Sequence, residues 1–442
     1  MKKEFHIFAA KVLFLIATIS MVSCSRTEME TTDNMNESMA KEQLHTAKLT
    51  RAMQTARDAA RLLDGESVTR AEHDRQIDES EIKFIVADYA TRSESEPDTL
   101  MYVFNYVDDA GFAVVSAVGE SGEMLAVTEQ GHFNSMEEIE NEGFRIFMEA
   151  ATIYTDSLRL AEKEATRFVP PTGPGFVDDF MIVTDSVVVA NYPPLVSIRW
   201  DQWAPYDMFC LNAYGERCPT GCIPVAVGQI LSYYEYPTSL TLTYESNSPT
   251  IYVNWSDLKN QTSCAFCNNW NFCENHTHIA QIIRQIGEDA NVRYYYGESN
   301  TSDYHARQVL YQYGYTSDSF KDYSFYWIKT SLSNGRPLFM SGKRTSESGH
   351  TWVVDGCREV FYTHYTYSKP HGSPNSAWTF EGSYTETIRL NHINWGWGGD
   401  CNGFFSSDCF NTQHGVYDTG CSHYTYFNYT FDFEILPNIR IQ

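Results

Sequence analysis

The residues from Cys218 to Pro237, Cys-Pro-Thr-Gly-Cys-Ile-Pro-Val-Ala-Val-Gly-Gln-Ile-Leu-Ser-Tyr-Tyr-Glu-Tyr-Pro, constrain this chain more than any other stretch. Ile223, Val227, Ile230, Leu231 and Tyr234 recur at helical spacing, so the segment reads as a helix with one apolar face. Pro237 ends it, and Pro224 fits only in the first turn, where an N–H has no intrahelical partner to lose. The Thr220-Gly221-Cys222 turn then falls at the mouth of the helix. A thiol there meets unpaired backbone N–H groups at the positive end of the helix dipole, and both favour the thiolate, the form that attacks a carbonyl carbon. Taken alone, the stretch suits a buried or disulfide-bonded cysteine equally well.

Two downstream stretches shift that balance. Ser348-Gly349-His350-Thr351-Trp352-Val353-Val354-Asp355-Gly356 reads as a glycine turn, a histidine and a short apolar strand. Asn391-His392-Ile393-Asn394-Trp395-Gly396-Trp397-Gly398-Gly399 reads as a strand running into a glycine-rich turn. The order Cys, His, Asn, with His350 lying 128 residues after Cys222, is the layout of papain-like thiol proteases. Of the 13 histidines, His350 and His392 lie in suggestive strands. His392 and Asn394 stand two apart on one strand, about 7 Å between Cα atoms, too far for the amide to orient that ring. His350, on another strand, can approach Asn394 across a pair. His350 is therefore expected as the base, Asn394 as its orienter and His392 as a packed neighbour.

Together, Thr-Gly-Cys with its Gln-Ile helix and Tyr-Pro, Gly-His with Val-Asp-Gly, and Asn-Trp-Gly-Trp-Gly-Gly resemble the streptopain family of bacterial cysteine peptidases. The resemblance places Cys222, His350 and Asn394 on the family's catalytic positions. It also implies that Trp395 shields the His–Asn hydrogen bond from water. The segment from Trp200 to Tyr206 matches a family segment in which a glutamine donates to the oxyanion, which gives that role to Gln202 beside the Cys222 N–H. Pro224 and Val225 depart from the family, where small or hydroxylated residues follow the nucleophile. The implied fold is α+β: a papain-like catalytic domain, its nucleophile helix packed on an antiparallel sheet, preceded by a smaller α+β prodomain.

Residues 1–23 read as a signal peptide of the lipoprotein type, with Lys2 and Lys3 before an apolar run and Cys24 as the lipidated residue. Residues 24–48 are polar and read as a tether. Residues 49–165 read as a prodomain: an amphipathic helix over Leu49–Leu63, strands near 82–86, 100–106 and 111–117, and a helix over 137–160. The strand Gly-Phe-Ala-Val-Val-Ser-Ala resembles the family's propeptide, which implies an intramolecular inhibitor folded against the cleft. Residues 166–191, with Pro170-Pro171 and Gly173-Pro174-Gly175, read as a linker and processing region, and 192–442 as the peptidase domain.

A net charge of −25 argues against nucleic acid as a partner, because phosphate counterions would not be displaced. The partners expected are protein or peptide substrates, the prodomain, and a membrane only through a lipid on Cys24, in an exported protein of the outer membrane, cell surface or periplasm. Eleven cysteines point to an oxidising compartment and disulfides. Cys210 and Cys218 bracket the nucleophile turn and are placed to staple it; Cys401, Cys409 and Cys421 read as loop bracing. Cys264, Cys267, Cys273, His276 and His278 have zinc-like spacing but read as a disulfide staple, so neither metal nor cofactor is expected. The competing functions are a catalytically silent binding or inhibitory protein on the peptidase fold, and a Cys–His acyltransferase, which usually carries Asp where Asn394 stands.

Overall fold

The computed structural model describes residues 29–64, 75–87, 98–119, 122–167, 179–259, 274–344, 349–370, 376–411 and 431–442. It divides into two units, Met1–Thr50 and Arg51–Gln442, and helix α1 (Met29–Asp64) belongs partly to each. The other helices are α2 (Glu142–Arg167), α3 (Cys222–Tyr234), α4 (Trp255–Lys259), α5 (Glu274–Asp289), α6 (Asp303–Gln312) and α7 (Phe325–Leu332).

The second unit is built on one antiparallel sheet of eleven strands. In chain order these are β1 (Lys83–Val86), β2 (Thr99–Asn105), β3 (Phe112–Ser116), β4 (Met124–Thr128), β5 (Asp179–Tyr192) and β6 (Lys321–Asp322). They continue with β7 (Leu338–Arg344), β8 (Gly349–Lys369), β9 (Thr379–Asn394), β10 (Gly403–Ser406) and β11 (Phe431–Leu436). The order across the sheet is β1-β2-β3-β4-β10-β9-β8-β7-β11-β6. Strand β8 is long enough to pair β7 through Gly349–Val354 and then β5 from Cys357 onward.

Side-chain alternation builds a core on each face. Leu338, Met340, Trp352, Val354, Ile393 and Phe433 join one core, under Phe144 and Phe147 of α2 and Ile328 of α7. Phe339, Val353 and Leu436 point the other way, into a core with α3, α5 and α6. Because α3 lies between the sheet and those helices, every residue from Ile223 to Ser232 is buried, not the single face that the periodicity suggested.

The fold is α+β, with the Cys222 helix packed against an antiparallel sheet that carries His350 and Asn394. The N-terminal β1–β4 and α2 share that sheet and its core. Thr128, Val127 and Ala126 of β4 pair with Gly403, Phe404 and Phe405 of β10. The approach is so close that a Cβ on Gly403 would lie 2.1 Å from the Val127 carbonyl oxygen. Phe147 of α2 packs edge-on against Phe405 at 4.8 Å between ring centres.

Some boundaries differ from the sequence reading. Helix α1 begins at Met29, inside the expected tether, and α2 starts at Glu142 and runs on to Arg167. Residues 179–192, the second half of the expected linker, form β5, whose Ile182, Val183, Thr184 and Val187–Val189 suit a strand. The signal peptide, Cys24, Cys264, Cys267, Cys273 and Cys421 lie outside the described residues. Cys210, Cys218, Cys401 and Cys409 are buried free thiols, unlike the expected staples. No described helix is long and apolar enough to cross a membrane.

Candidate active site

Gly221 opens α3. Its φ of 84° lies in the left-handed region, and a Cβ there would sit 3.3 Å from the Ser299 carbonyl oxygen. Cys222 follows as the first helical residue, and Pro224 sits in the first turn as expected. The expectation of a thiolate at the helix mouth does not hold in this state. Burial pushes the Cys222 thiol up to about 11, against the opposing pull of Thr351 and with help from the Asp303 and Glu142 charges.

His350 stands near the start of β8 and is 2% exposed. Its Nε2–H donates to the Trp395 carbonyl, 3.0 Å away. Burial moves its pKa below the ordinary range, partly offset by that carbonyl, so the ring is neutral near pH 7. Asn394 closes β9 and does not orient this ring. Its Oδ1 accepts from Gln229 Nε2 at 3.0 Å and from the Gly396 N–H at 3.2 Å, and its Nδ2 donates to the Ile198 carbonyl at 2.8 Å.

Strand parity is the reason. Asn394 pairs with Val353, so it shares the face turned toward α3, while His350 is in step with Trp352 on the opposite face. Gln229, read from sequence as structural, is the buried tie between α3 and Asn394.

Trp395 is fully buried, with its Nε1–H on the Cys401 carbonyl at 2.9 Å and its backbone N–H on Asn402 Oδ1 at 3.0 Å. Its ring packs on Trp352 and Phe405, at 4.9 and 5.1 Å between centres. His350 stacks on Trp352 at 6.2 Å between centres, while Trp395 meets it through its backbone carbonyl, which is not a His–Asn bond. Gln202, whose carbonyl accepts from the Thr220 N–H at 2.9 Å, lines a cavity of about 610 Å³ together with Cys222, His350, Trp203 and Trp397. The structure thus brings Cys222, His350 and Gln202 to one cavity. Asn394 lies behind it.

The opposite wall of that cavity comes from the N-terminal part: Met136, Ile139, Glu142, Arg145 and Glu149. Asn141 caps α2, its Oδ1 accepting from the Phe144 N–H at 3.1 Å, while its Nδ2 donates to the Asp400 carbonyl at 3.0 Å. The first turn presents Gly143 to the site. A Cβ there would fall 2.5 Å from Trp395 Cε3 and 2.7 Å from His350 Cδ2. The helix backbone therefore rests directly on both rings.

Residues 200–405 match the peptidase C10 family, and residues 37–154 match the Spi protease inhibitor family. These matches support the resemblance to the streptopain family over residues 200–405. Streptopain of Streptococcus pyogenes is 23% identical over 348 residues, which is 70% of this chain and 74% of streptopain. The thiol protease/hemagglutinin PrtT of Porphyromonas gingivalis is 22% identical over 73% of this chain and 36% of its own length. A solved fragment of Prevotella intermedia prointerpain A is 19% identical, with a TM-score of 0.47, over 78% of this chain and 96% of that one. A cysteine peptidase preceded by an inhibitor-like prodomain is the reading that the two family matches and the relatives support.

One group beside the site went unread in the sequence. His392, expected to be a packed neighbour, is a buried imidazole whose Nδ1 lies 2.6 Å from Asp355 Oδ1 and whose Nε2 lies 3.2 Å from Glu129 Oε1 of the prodomain. Burial alone would lower its pKa, but the two carboxylates overturn that and hold it up at about 9. Val-Asp-Gly and Asn-His in the sequence carried half of the signal. Glu129 carried none, because its pairing depends on β4 reaching β10.

Proposed function

We propose that the chain is the exported precursor of a cysteine endopeptidase, described here in its latent form. The observation that supports it best is the meeting of Cys222 at the mouth of α3 and His350 of β8 in one cavity, whose far wall is prodomain. In the working enzyme the Cys222 sulfur attacks the scissile carbonyl, forming the C–S bond. The oxyanion takes hydrogen bonds from the Cys222 N–H and the Gln202 side chain. His350 carries the thiol proton to the leaving amine, and water then releases the acyl group from sulfur. Asn394 already lies on the face of the sheet that Cys222 approaches. Removing α2 frees His350 to leave the Trp395 carbonyl and turn toward that face, where Asn394 can orient it. The N-terminal signal and the cysteine at position 24 support export with a lipid anchor.

The test compares casein cleavage by wild type and Cys222→Ala, reading the N-terminus of any processed form. Wild type should cleave, and Cys222→Ala should neither cleave nor process itself. Equal casein cleavage by the variant would overturn the assignment. Transfer to an added amine without net hydrolysis would replace it with an acyltransferase.

A further inference from the structure

The interface between the prodomain and the peptidase domain is mostly apolar packing and strand pairing, but one charged network is built into it. We propose that Glu129 is an ionic latch holding the prodomain on the peptidase domain, its carboxylate bridging His392 and Arg199. Glu129 Oε1 lies 3.2 Å from His392 Nε2, and Oε2 lies 2.7 Å from Arg199 Nη2. The far side of the imidazole is closed by Asp355, which is 0% exposed and whose second oxygen accepts the Val196 N–H at 2.9 Å. His392 is thus an imidazolium held between a carboxylate of its own domain and one of the prodomain.

The neighbouring groups aim the latch. Gln130 Oε1 accepts from Arg199 Nη1 at 2.8 Å, and the Glu129 N–H donates to the Asn402 carbonyl at 2.7 Å, continuing the β4–β10 ladder. On the prodomain side, Arg75 donates to the Glu129 carbonyl at 2.8 Å. When the prodomain leaves, Asp355 and His392 still neutralise each other, while Arg199 loses its carboxylate partner. Glu129 is a quarter exposed and Arg199 two-fifths, so the tie to His392, which is 4% exposed, carries most of the preference for closure.

This inference rests on reading the prodomain as the shutter of the cleft, so its test is chemical and does not use proteolysis. Full-length protein is treated with iodoacetamide, and alkylation of Cys222 is followed by peptide mass. Glu129→Gln keeps the shape and removes the charge. It should label Cys222 about tenfold faster than wild type, since losing a charge-assisted bond to the buried His392 is worth about one decade of equilibrium constant. Asp257→Asn, a charge change on α4 away from the network, should label at the wild-type rate. The double variant Glu129→Gln/His392→Gln should label less fast than the product of the two single effects, because the second change removes a partner already lost.

A folded Glu129→Gln protein that labels like wild type would overturn the latch. So would strictly multiplicative effects in the double variant. Should Glu129→Gln fail to fold, Glu129→Asp, one methylene shorter, serves in its place, and wild-type labelling by it overturns the latch equally. A chain that cannot cleave casein would sink the peptidase assignment and leave this measurement unaffected.

Discussion

Adding a single methyl group at Gly143 probes whether α2 sits on His350. The new Cβ would lie 2.5 Å from Trp395 Cε3 and 2.7 Å from His350 Cδ2. Carbon atoms pack at about 3.5–4.0 Å, so roughly 1 Å must be found somewhere. Trp395 cannot yield easily, since its ring N–H and backbone N–H are both bonded and its faces are packed. Either His350 gives up its bond to the Trp395 carbonyl, or α2 lifts. Overpacking of this kind costs about 1–3 kcal/mol, and the alanine's better helix propensity returns at most about 1 kcal/mol, less in a first turn. Sterics win, and the closed state should weaken by about 1–2 kcal/mol, roughly five- to thirtyfold in population. The assay is hydrogen exchange of the α2 amides from Phe144 to Ala151, in Cys222→Ala protein so that no processing intervenes. Faster exchange by that factor in Gly143→Ala is expected. Unchanged or slower exchange would show that α2 does not rest on these rings, and the account of the closed cleft would fail with it.

Three further outcomes follow from the site. Because burial holds the Cys222 thiol up at about 11, its alkylation in the precursor should rise steeply between pH 9 and 11, and the midpoint should fall once the prodomain is removed; an identical midpoint in both forms would refute the burial argument. Asn394→Ala strands the Gln229 amide, the Gly396 N–H and the Ile198 carbonyl, so it should cost about 3 kcal/mol in urea unfolding besides any loss of activity, and a variant of wild-type stability would contradict the bonds described. His392 has a folded pKa of about 9 against an ordinary value near 6.5, so its stabilising effect is complete below about pH 6.5 and is lost as pH rises through 9. The precursor should lose on the order of 3 kcal/mol over that window, and His392→Gln should flatten the profile.

What could be read from the chain beforehand was local. Pro224, Gly221 and the apolar spacing of α3 placed Cys222 at a helix mouth, and Gly349-His350 before Thr351–Val354 placed the histidine on a strand. The face on which each side chain falls was not local. Asn394 was expected to orient His350; in this closed form the pairing of Val353 with Asn394 puts the two on opposite faces, and only the assembled sheet sets that register. The thiol's pKa was misjudged for a related reason: the helix dipole is visible in sequence, whereas the wall that desolvates Cys222 comes from residues 136–149, far upstream. Strand β5 was legible in part, since Val187-Val188-Val189 is a strand signal, but the proline- and glycine-rich run before it favoured a linker. Gly143 gave no sign at all, because a glycine required by a neighbour's ring looks like any other glycine.

The pairing of β4 with β10 separates two events that are easily taken as one. Severing the backbone between the two domains removes none of the ladder bonds, nor Phe147 from its place against Phe405. The excised fragment would stay seated on its former partner as a tight non-covalent inhibitor. Activity would then appear only when that fragment is itself digested, and the lag before full turnover would measure its destruction and not the first cut.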